Sequence, residues 1–431
     1  MSTNENRRGF VRWAGAGSAV LAVIMGLGAM AGIAACATGG APQAAQGDSR
    51  NFESIESLLA HAEDAAGAIE DERLRQTAHV AIIEARARAG AYEEAMDAAA
   101  ALESPQPRAQ AYAGIATVRA EAGDFDGARA ALASLRETFG DEVPPFVWDM
   151  AHEEFEKGRL EARARDGAFE EAMEIANEMK ELRNQVWAYS RMAVARAQEG
   201  DAEEAAALLD LAVETGRNVL PDEERTEVHS RIAAARAQTG DQEGADAEFA
   251  KAKEIAAGID GGNLRDFAYW VIADLQKEAG RFEDAEETAE SIVDGARRTG
   301  ITVRIQIARV QEFARSGAYA EAGPVVASMT QAGSRARMYS ELATAQARGG
   351  DPRSAADSLA LAKEALSAIE RPTSMVTTGT WALSHSVVAK AMVQTGDLDG
   401  LADWWATIDD PYMEVTVLLG AVEGLVAREE D

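Results

Sequence analysis

Ala89-Gly90-Ala91-Tyr92-Glu93-Glu94-Ala95 and, 33 residues on, Ala122-Gly123-Asp124-Phe125-Asp126-Gly127-Ala128 are two versions of one phrase. A small or polar residue precedes Gly; Asp or Ala, an aromatic, two mostly acidic residues and Ala follow it. The phrase returns at Asp166-Gly167, Glu199-Gly200, Thr239-Gly240, Ala279-Gly280, Ser316-Gly317, Gly349-Gly350 and Thr395-Gly396. The nine glycines stand 33, 44, 33, 40, 40, 37, 33 and 46 residues apart. Self-similarity on this scale marks stacked supersecondary units.

The chemistry of the phrase predicts a helix, a turn and a second helix. Gly can enter the left-handed region that stops a helix. Asp directly after it, at Asp124, Asp201, Asp241, Asp351 and Asp397, can cap the next helix, and the acids that follow suit its N-terminal dipole. Five residues after Gly stand Ala95, Ala128, Ala172, Ala205, Ala245, Ala285, Ala322, Ala355 and Leu401, small enough in eight of nine units for helices to approach closely. The positions nine and twelve after Gly are apolar in every unit, at helical spacing. Eight before Gly are Ile82, Ile115, Met192, Ile232, Ile272, Leu342 and Val388, with Arg159 and Arg309 as exceptions that predict a slipped or partly unwound third and seventh unit. Spacings of 40 or more predict longer second helices or added loops at the joints. Ser54–Ile69 reads as an opening half-repeat and Tyr412–Arg428 as a closing helix, because a repeat stack must cover its terminal faces.

Over roughly residues 70–410 this pattern resembles the tetratricopeptide (TPR) repeat, although no regular Pro closes each unit. The resemblance implies an all-α, right-handed α-solenoid of about nine TPR-like helix pairs, placed here at 53–431. It also implies that first helices line a groove. Two slots of that groove are three before Gly, mostly Ala, and two before Gly, polar and including Arg88, Arg165, Arg315 and Arg348.

Composition agrees with a packed helical body. The 431 residues are 47% hydrophobic but only 6% aromatic, and Ala supplies much of the apolar content. With 42 Lys+Arg against 73 Asp+Glu the formal charge is −31, which excludes nucleic acid as a partner and repels anionic lipid surfaces. The single cysteine, Cys36, excludes an internal disulfide.

The N-terminus reads as an address. Arg7, Arg8 and Arg12 precede an uncharged stretch from Ala14 to Ala35 that ends Ile33-Ala34-Ala35-Cys36. A basic n-region, an apolar h-region and small residues before a cleavage point make a signal peptide. The last four residues resemble a bacterial lipobox. That resemblance implies removal of 1–35 and lipidation of Cys36; Ala37 after the Cys implies outer-membrane sorting. Asn6-Arg7-Arg8-Gly9-Phe10-Val11-Arg12 resembles a twin-arginine export motif through Arg7, Arg8 and Phe10. Competing readings are an uncleaved transmembrane anchor or a plain secreted chain in place of the lipoprotein, and an ordinary secretory n-region in place of the twin-arginine motif. Residues 36–52 lack periodicity and predict a flexible tether.

No phosphate loop, His-Glu-x-x-His or Gly-x-Ser-x-Gly motif occurs, and no metal or cofactor site is expected. His79, His229 and His385 share the slot eleven before Gly with Tyr112, Tyr189, Tyr269 and Tyr339, a packing position with a polar tip. His152-Glu153-Glu154 lacks a second His. The candidate partner-binding residues are arginines. Arg86, Arg119, Arg163, Arg196 and Arg236 stand four before Gly in the first five units, where they form either a basic ladder for a partner's carboxylates or salt bridges across the repeat joint. The expectation is a non-catalytic scaffold or adaptor for other envelope proteins, membrane-anchored through the lipid on Cys36 and facing the periplasm. The alternative is a glycan- or peptide-capturing lipoprotein, for which outward Trp148, Trp187, Trp270, Trp381, Trp404 and Trp405 would be the platforms, although Trp405 occupies a core slot.

Overall fold

A computed structural model of the protein describes residues 54–139, 145–219, 221–369 and 375–430, and their side chains except at 121, 139, 145–154, 375–380, 429 and 430. The expectations for Arg7, Arg8, Phe10, Cys36, the 1–35 signal, the 36–52 tether and the side chains of Trp148 and His152 lie outside the described residues. Among those described there are twenty helices and no strand: an all-α, solenoid-like chain. In order they are α1 (Ile55–Gly67), α2 (Glu72–Arg88), α3 (Tyr92–Ala101), α4 (Pro105–Glu121), α5 (Phe125–Phe139), α6 (Pro145–Arg165) and α7 (Phe169–Glu178). Then come α8 (Leu182–Gln198), α9 (Ala202–Gly216), α10 (Asp222–Gln238), α11 (Gln242–Gly258), α12 (Gly262–Glu278), α13 (Phe282–Glu290) and α14 (Gly295–Ser316). The last are α15 (Tyr319–Ser328), α16 (Ala332–Arg348), α17 (Pro352–Ser367), α18 (Met375–Thr395), α19 (Leu398–Ala406) and α20 (Pro411–Glu430).

Every motif glycine sits between a first and a second helix with φ between +72 and +95. The residue after it closes the helix end. For example, Asp124 N–H donates to the Arg119 carbonyl at 2.8 Å while Gly123 N–H donates to Ala120 at 3.0 Å, a Schellman stop. The five Asp side chains then cap the second helices, accepting from Gly127, Glu204, Gly244, Ser354 and Gly400 N–H at 2.9–3.2 Å. The nine residues five after Gly expose 0–2% of their surface.

Second-helix length follows repeat spacing. Where the glycines are 33 apart, α3, α7 and α15 have 10 residues; where 40 or more apart, α5, α9, α11 and α17 have 15–17. The extra sequence lengthens the second helix, as the joints suggested. In the third and seventh units the first helices α6 and α14 run unbroken for 21 and 22 residues. These units are slipped, not unwound. Leu160 and Val310, one residue after Arg159 and Arg309, are fully buried in the vacated core slot.

The chain divides into two compact units. Trp148–Arg309 form one; the described residues up to Val147 and from Val310 onward form the other. In the first, α8 and α10 pack on their second helices α9 and α11, and α8, α10 and α12 lie side by side over a seam that includes Leu160, Met192 and Ile232. In the second, α4 packs on α5, α16 on α17, and α20 against α18. Its terminal faces are not covered by separate caps: α20 also packs on α1 and α2, so the first and last helices cover each other. The Trp405 ring meets His61 of α1 edge-on at 5.4 Å and donates to Glu414 at 2.6 Å.

α20 reaches α18 through glycine. A Cβ at Gly420 would overlap the Ser386 carbonyl, and one at Gly424 would stand 2.9 Å from the Lys390 carbonyl. Gly158 in α6 faces open space instead. Gly420→Ala is expected to cost about 1–3 kcal/mol through overpacking. Gly158→Ala is expected to gain about 0.5–1 kcal/mol through helix propensity. Thermal unfolding of the two variants should move in opposite directions from wild type; a common direction would contradict the glycine contact.

Candidate interaction surface

The slot four before Gly lies at the C-terminal end of each first helix, beside the turn. All five arginines there are ion-paired inside the chain: Arg86 with Glu63, Arg119 with Asp124 at 2.7 Å, Arg163 with Glu171 at 3.0 Å, Arg196 with Glu199 at 3.5 Å and Arg236 with Asp241 at 2.7 Å. Their side chains keep only 21–38% of their surface. Arg119 lies over the Tyr92 ring at 4.8 Å and Arg196 over Phe169 at 3.7 Å, each ring belonging to the preceding unit. Such cation–π contacts are worth about 0.5–2 kcal/mol each. Where Gln replaces Arg, a hydroxyl appears eight after Gly: Thr288 donates to Gln276 and Ser358 to Gln346, both at 2.7 Å and buried. The slot is therefore a lock that the chain fills for itself.

Arg88, Arg165, Arg315 and Arg348, two before Gly, are exposed, and Arg315 pairs with Glu312. The His/Tyr slot packs as expected. Tyr189 donates to Asn177 at 3.0 Å, and His385 meets the Trp381 carbonyl at 2.7 Å, with burial holding its imidazole below the usual range. His229 meets Glu248 at 2.6 Å. The tryptophans are engaged by the chain: Trp381 and Trp405 are buried, and Trp187 and Trp270 lie under cations. Among the described residues no group of three or more His, Cys, Asp or Glu side chains is arranged to hold a metal ion.

A second set of residues, of which the sequence singled out only Trp187 and Trp270, forms a polar strip across the first helices of Trp148–Arg309. They stand at i, i+4 on each helix: Lys157 and Glu161 on α6, Trp187 and Arg191 on α8, Glu227 and Arg231 on α10, Trp270 and Asp274 on α12. Arg304 follows on α14. Neighbouring helices are tied across the strip. Arg191 pairs with Glu161 at 2.8 Å, Lys157 lies over Trp187 at 5.8 Å, and Arg304 pairs with Asp274 at 2.9 Å while lying over Trp270 at 5.4 Å. At its middle Arg231 donates to Glu227 at 2.8 and 3.0 Å. Solvent still reaches 18% of Glu227 and 28% of Arg231. Desolvation would raise the Glu227 carboxyl, but Arg231, Arg183 and Lys157 together hold it below the usual carboxylate range. The strip is deep, charged and reachable.

Charge is partitioned in this unit. The second helices α7, α9, α11 and α13 carry 17 acids against 2 lysines; the first helices α6, α8, α10, α12 and α14 to Arg309 carry 16 Lys+Arg against 12 acids. The i, i+4 spacing of charge and Trp in the first helices was the available signal for the strip. The motif arginines masked it, because they lie on the same helices and recur more regularly.

No family model and no curated protein matches the chain. Among solved structures, that of Ton1535 from Thermococcus onnurineus NA1 is similar over 81% of this chain and 90% of its own, at 17% identity and a TM-score of 0.31.

Two measurements test the electrostatics. Arg231→Met strands the Glu227 carboxylate and is expected to cost about 2–3 kcal/mol, discounted from the fully buried case for partial solvent access. Adding Glu227→Gln should recover part of that loss in urea unfolding; additive losses would deny the coupling. Glu248 loses water on burial, which would raise its carboxyl, but hydrogen bonds from His229 and Lys251 hold it at about 2. Its stabilisation is present above the ordinary carboxylate value and is lost as pH falls from about 4.5 to 2. Wild type should therefore lose thermal stability over that window more steeply than Glu248→Gln.

Proposed function

We propose that the protein is a non-catalytic scaffold of the bacterial envelope, a TPR-like repeat body held by lipid on Cys36 and presenting its first-helix surface to other envelope proteins. The charge partition carries this reading. In a chain of net charge −31, basic residues gather on the first helices of one unit and acids on the second. A partner is thereby oriented toward the first-helix strip and kept off the acidic side by like-charge repulsion. Engagement of Trp187 and Trp270 by Lys157 and Arg304 favours a protein partner over a sugar stacked on bare rings. Among the described residues no helix is long and apolar enough to cross a membrane. The lipobox Ile33-Ala34-Ala35-Cys36 and the Arg7-Arg8-Phe10 motif support export, and Ala37 supports the outer membrane.

Crosslinking in cells with identification of the captured proteins tests the reading. Arg191→Gln with Arg304→Gln should cut capture about tenfold or more, the loss expected for charges that steer and orient a partner, while the chain stays folded by circular dichroism at the capture temperature with a lowered melting point. Lys251→Gln with Lys253→Gln on α11 should leave capture intact. Equal capture by both doubles would reject the first-helix surface. Cys36→Ser should move the protein out of the membrane fraction; retention there would reject lipid anchoring.

A further inference from the structure

α1 keeps the register of a second helix although no motif glycine stands before it. The Ser54 hydroxyl accepts from Ser57 N–H at 3.1 Å, three residues on, as each capping Asp does in the motif units. With Ser54 in the place of that Asp, the slots five, nine and twelve after Gly fall on Leu58, Ala62 and Ala65. Leu58 and Ala62 are sealed at 0% exposure and Ala65 is buried. Leu58 thus matches Leu401, the Leu that fills the same slot in the ninth unit. Arg86 of α2 reaches back to Glu63 of α1, as Arg119 and Arg196 reach back to rings of the units before them. α1 is a complete second helix without a first helix before it among the described residues.

α20 is its converse. Every residue from Val415 to Val422 is buried. A helix that is buried all round has neighbours all round, whereas a capping helix turns a polar face outward. The neighbours are α18, α2 and α1. First helices of this unit lie side by side, α16 with α18 and α2 with α4. α20 stands between α18 and α2 and makes one series of the two. It has the place of a first helix, and the helix packed on it as its second is α1.

We propose that α20 and α1 are the two helices of one repeat unit, split between the two ends of the chain, and that this unit is a latch holding α1–α5 to α15–α20.

In the motif units a glycine turn ties first helix to second. Here most of the chain lies between them, and the pair is held by packing. The Trp405 ring braces it from α19, edge-on to His61 of α1 and donating to Glu414 of α20. Trp148–Arg309 separates the two halves in sequence, yet the described residues up to Val147 and from Val310 onward form one compact unit. In the anchored reading proposed above, the latch is also where the held end of the chain meets the other end; the latch itself does not depend on that reading.

The experiment is a cut in the native full chain. A specific protease site replaces residues 140–144, cleavage is followed on a denaturing gel, and the products are separated by size under native conditions. In wild type the N-terminal fragment should stay with the rest. Leu58→Asp on α1 and Val422→Asp on α20 should each release it, weakening retention about a hundredfold or more, because an unpaired charge is left in an apolar seam. Leu361→Asp, at an exposed position of α17, should leave retention unchanged. A free N-terminal fragment in wild type overturns the latch, and so does full retention in both Leu58→Asp and Val422→Asp. If these variants do not fold before the cut, Leu58→Ala decides: the concentration at which the cut halves part should rise about tenfold or more, as for a large-to-small core change. A value equal to wild type overturns the latch.

Discussion

Two helices come together closely where one offers the other a small side chain, and the rest of this structure depends on that constraint being met at the same place in eight of nine units, Leu401 filling it in the last. Ala95, Ala128 and their equivalents are sealed to within 2% of complete burial. A larger group there would push the second helix outward and separate the apolar positions nine and twelve after Gly from the seam. The turn glycine fixes where the second helix begins, and the Asp after it fixes the first turn. The Arg or Gln four before Gly then ties the arrangement together. Its backbone carbonyl receives the N–H that follows Gly, as Arg119 does from Asp124 at 2.8 Å, while its side chain holds the capping acid or the facing hydroxyl.

The same constraint explains which parts of the fold were legible in the sequence. The glycine stop, the caps, the alanine seam and the longer second helices are local, so each is written within a single unit and repeated. The slip at Arg159 and Arg309 was also visible as a break in the register, although only the structure shows Leu160 and Val310 taking the core slot with the helix intact. The role of the arginine slot was ambiguous because it depends on a ring in the preceding unit: Tyr92 under Arg119, Phe169 under Arg196. The pairing of Gln276 with Thr288 and of Gln346 with Ser358 was present in the chain as a coupled change, four before Gly and eight after it.

The candidate surface was less legible than the fold. A polar residue at one position of a helix has no sign of its own purpose; Glu227 becomes distinctive only when Arg231, Arg183 and Lys157 gather around it. Closure of the chain ends was hidden for a different reason. It joins α1 and α2 to α20 without any repeat phrase to announce it; Gly420 and Gly424, one turn apart in a helix where glycine is otherwise costly, mark only the contact of α20 with α18.

These two features differ in how they use buried charge. In the strip, opposite charges face each other across helix boundaries, so desolvation is offset by partners and Glu227 remains ionised. At the chain ends, burial and a like charge outweigh Arg88 and raise Glu84 to about 7. A paired network rigidifies the helices it crosses and keeps its character over a wide pH range. The repeat architecture accommodates both; the local balance of charge, residue by residue, decides whether a buried carboxyl is held ionised by its partners or raised by burial.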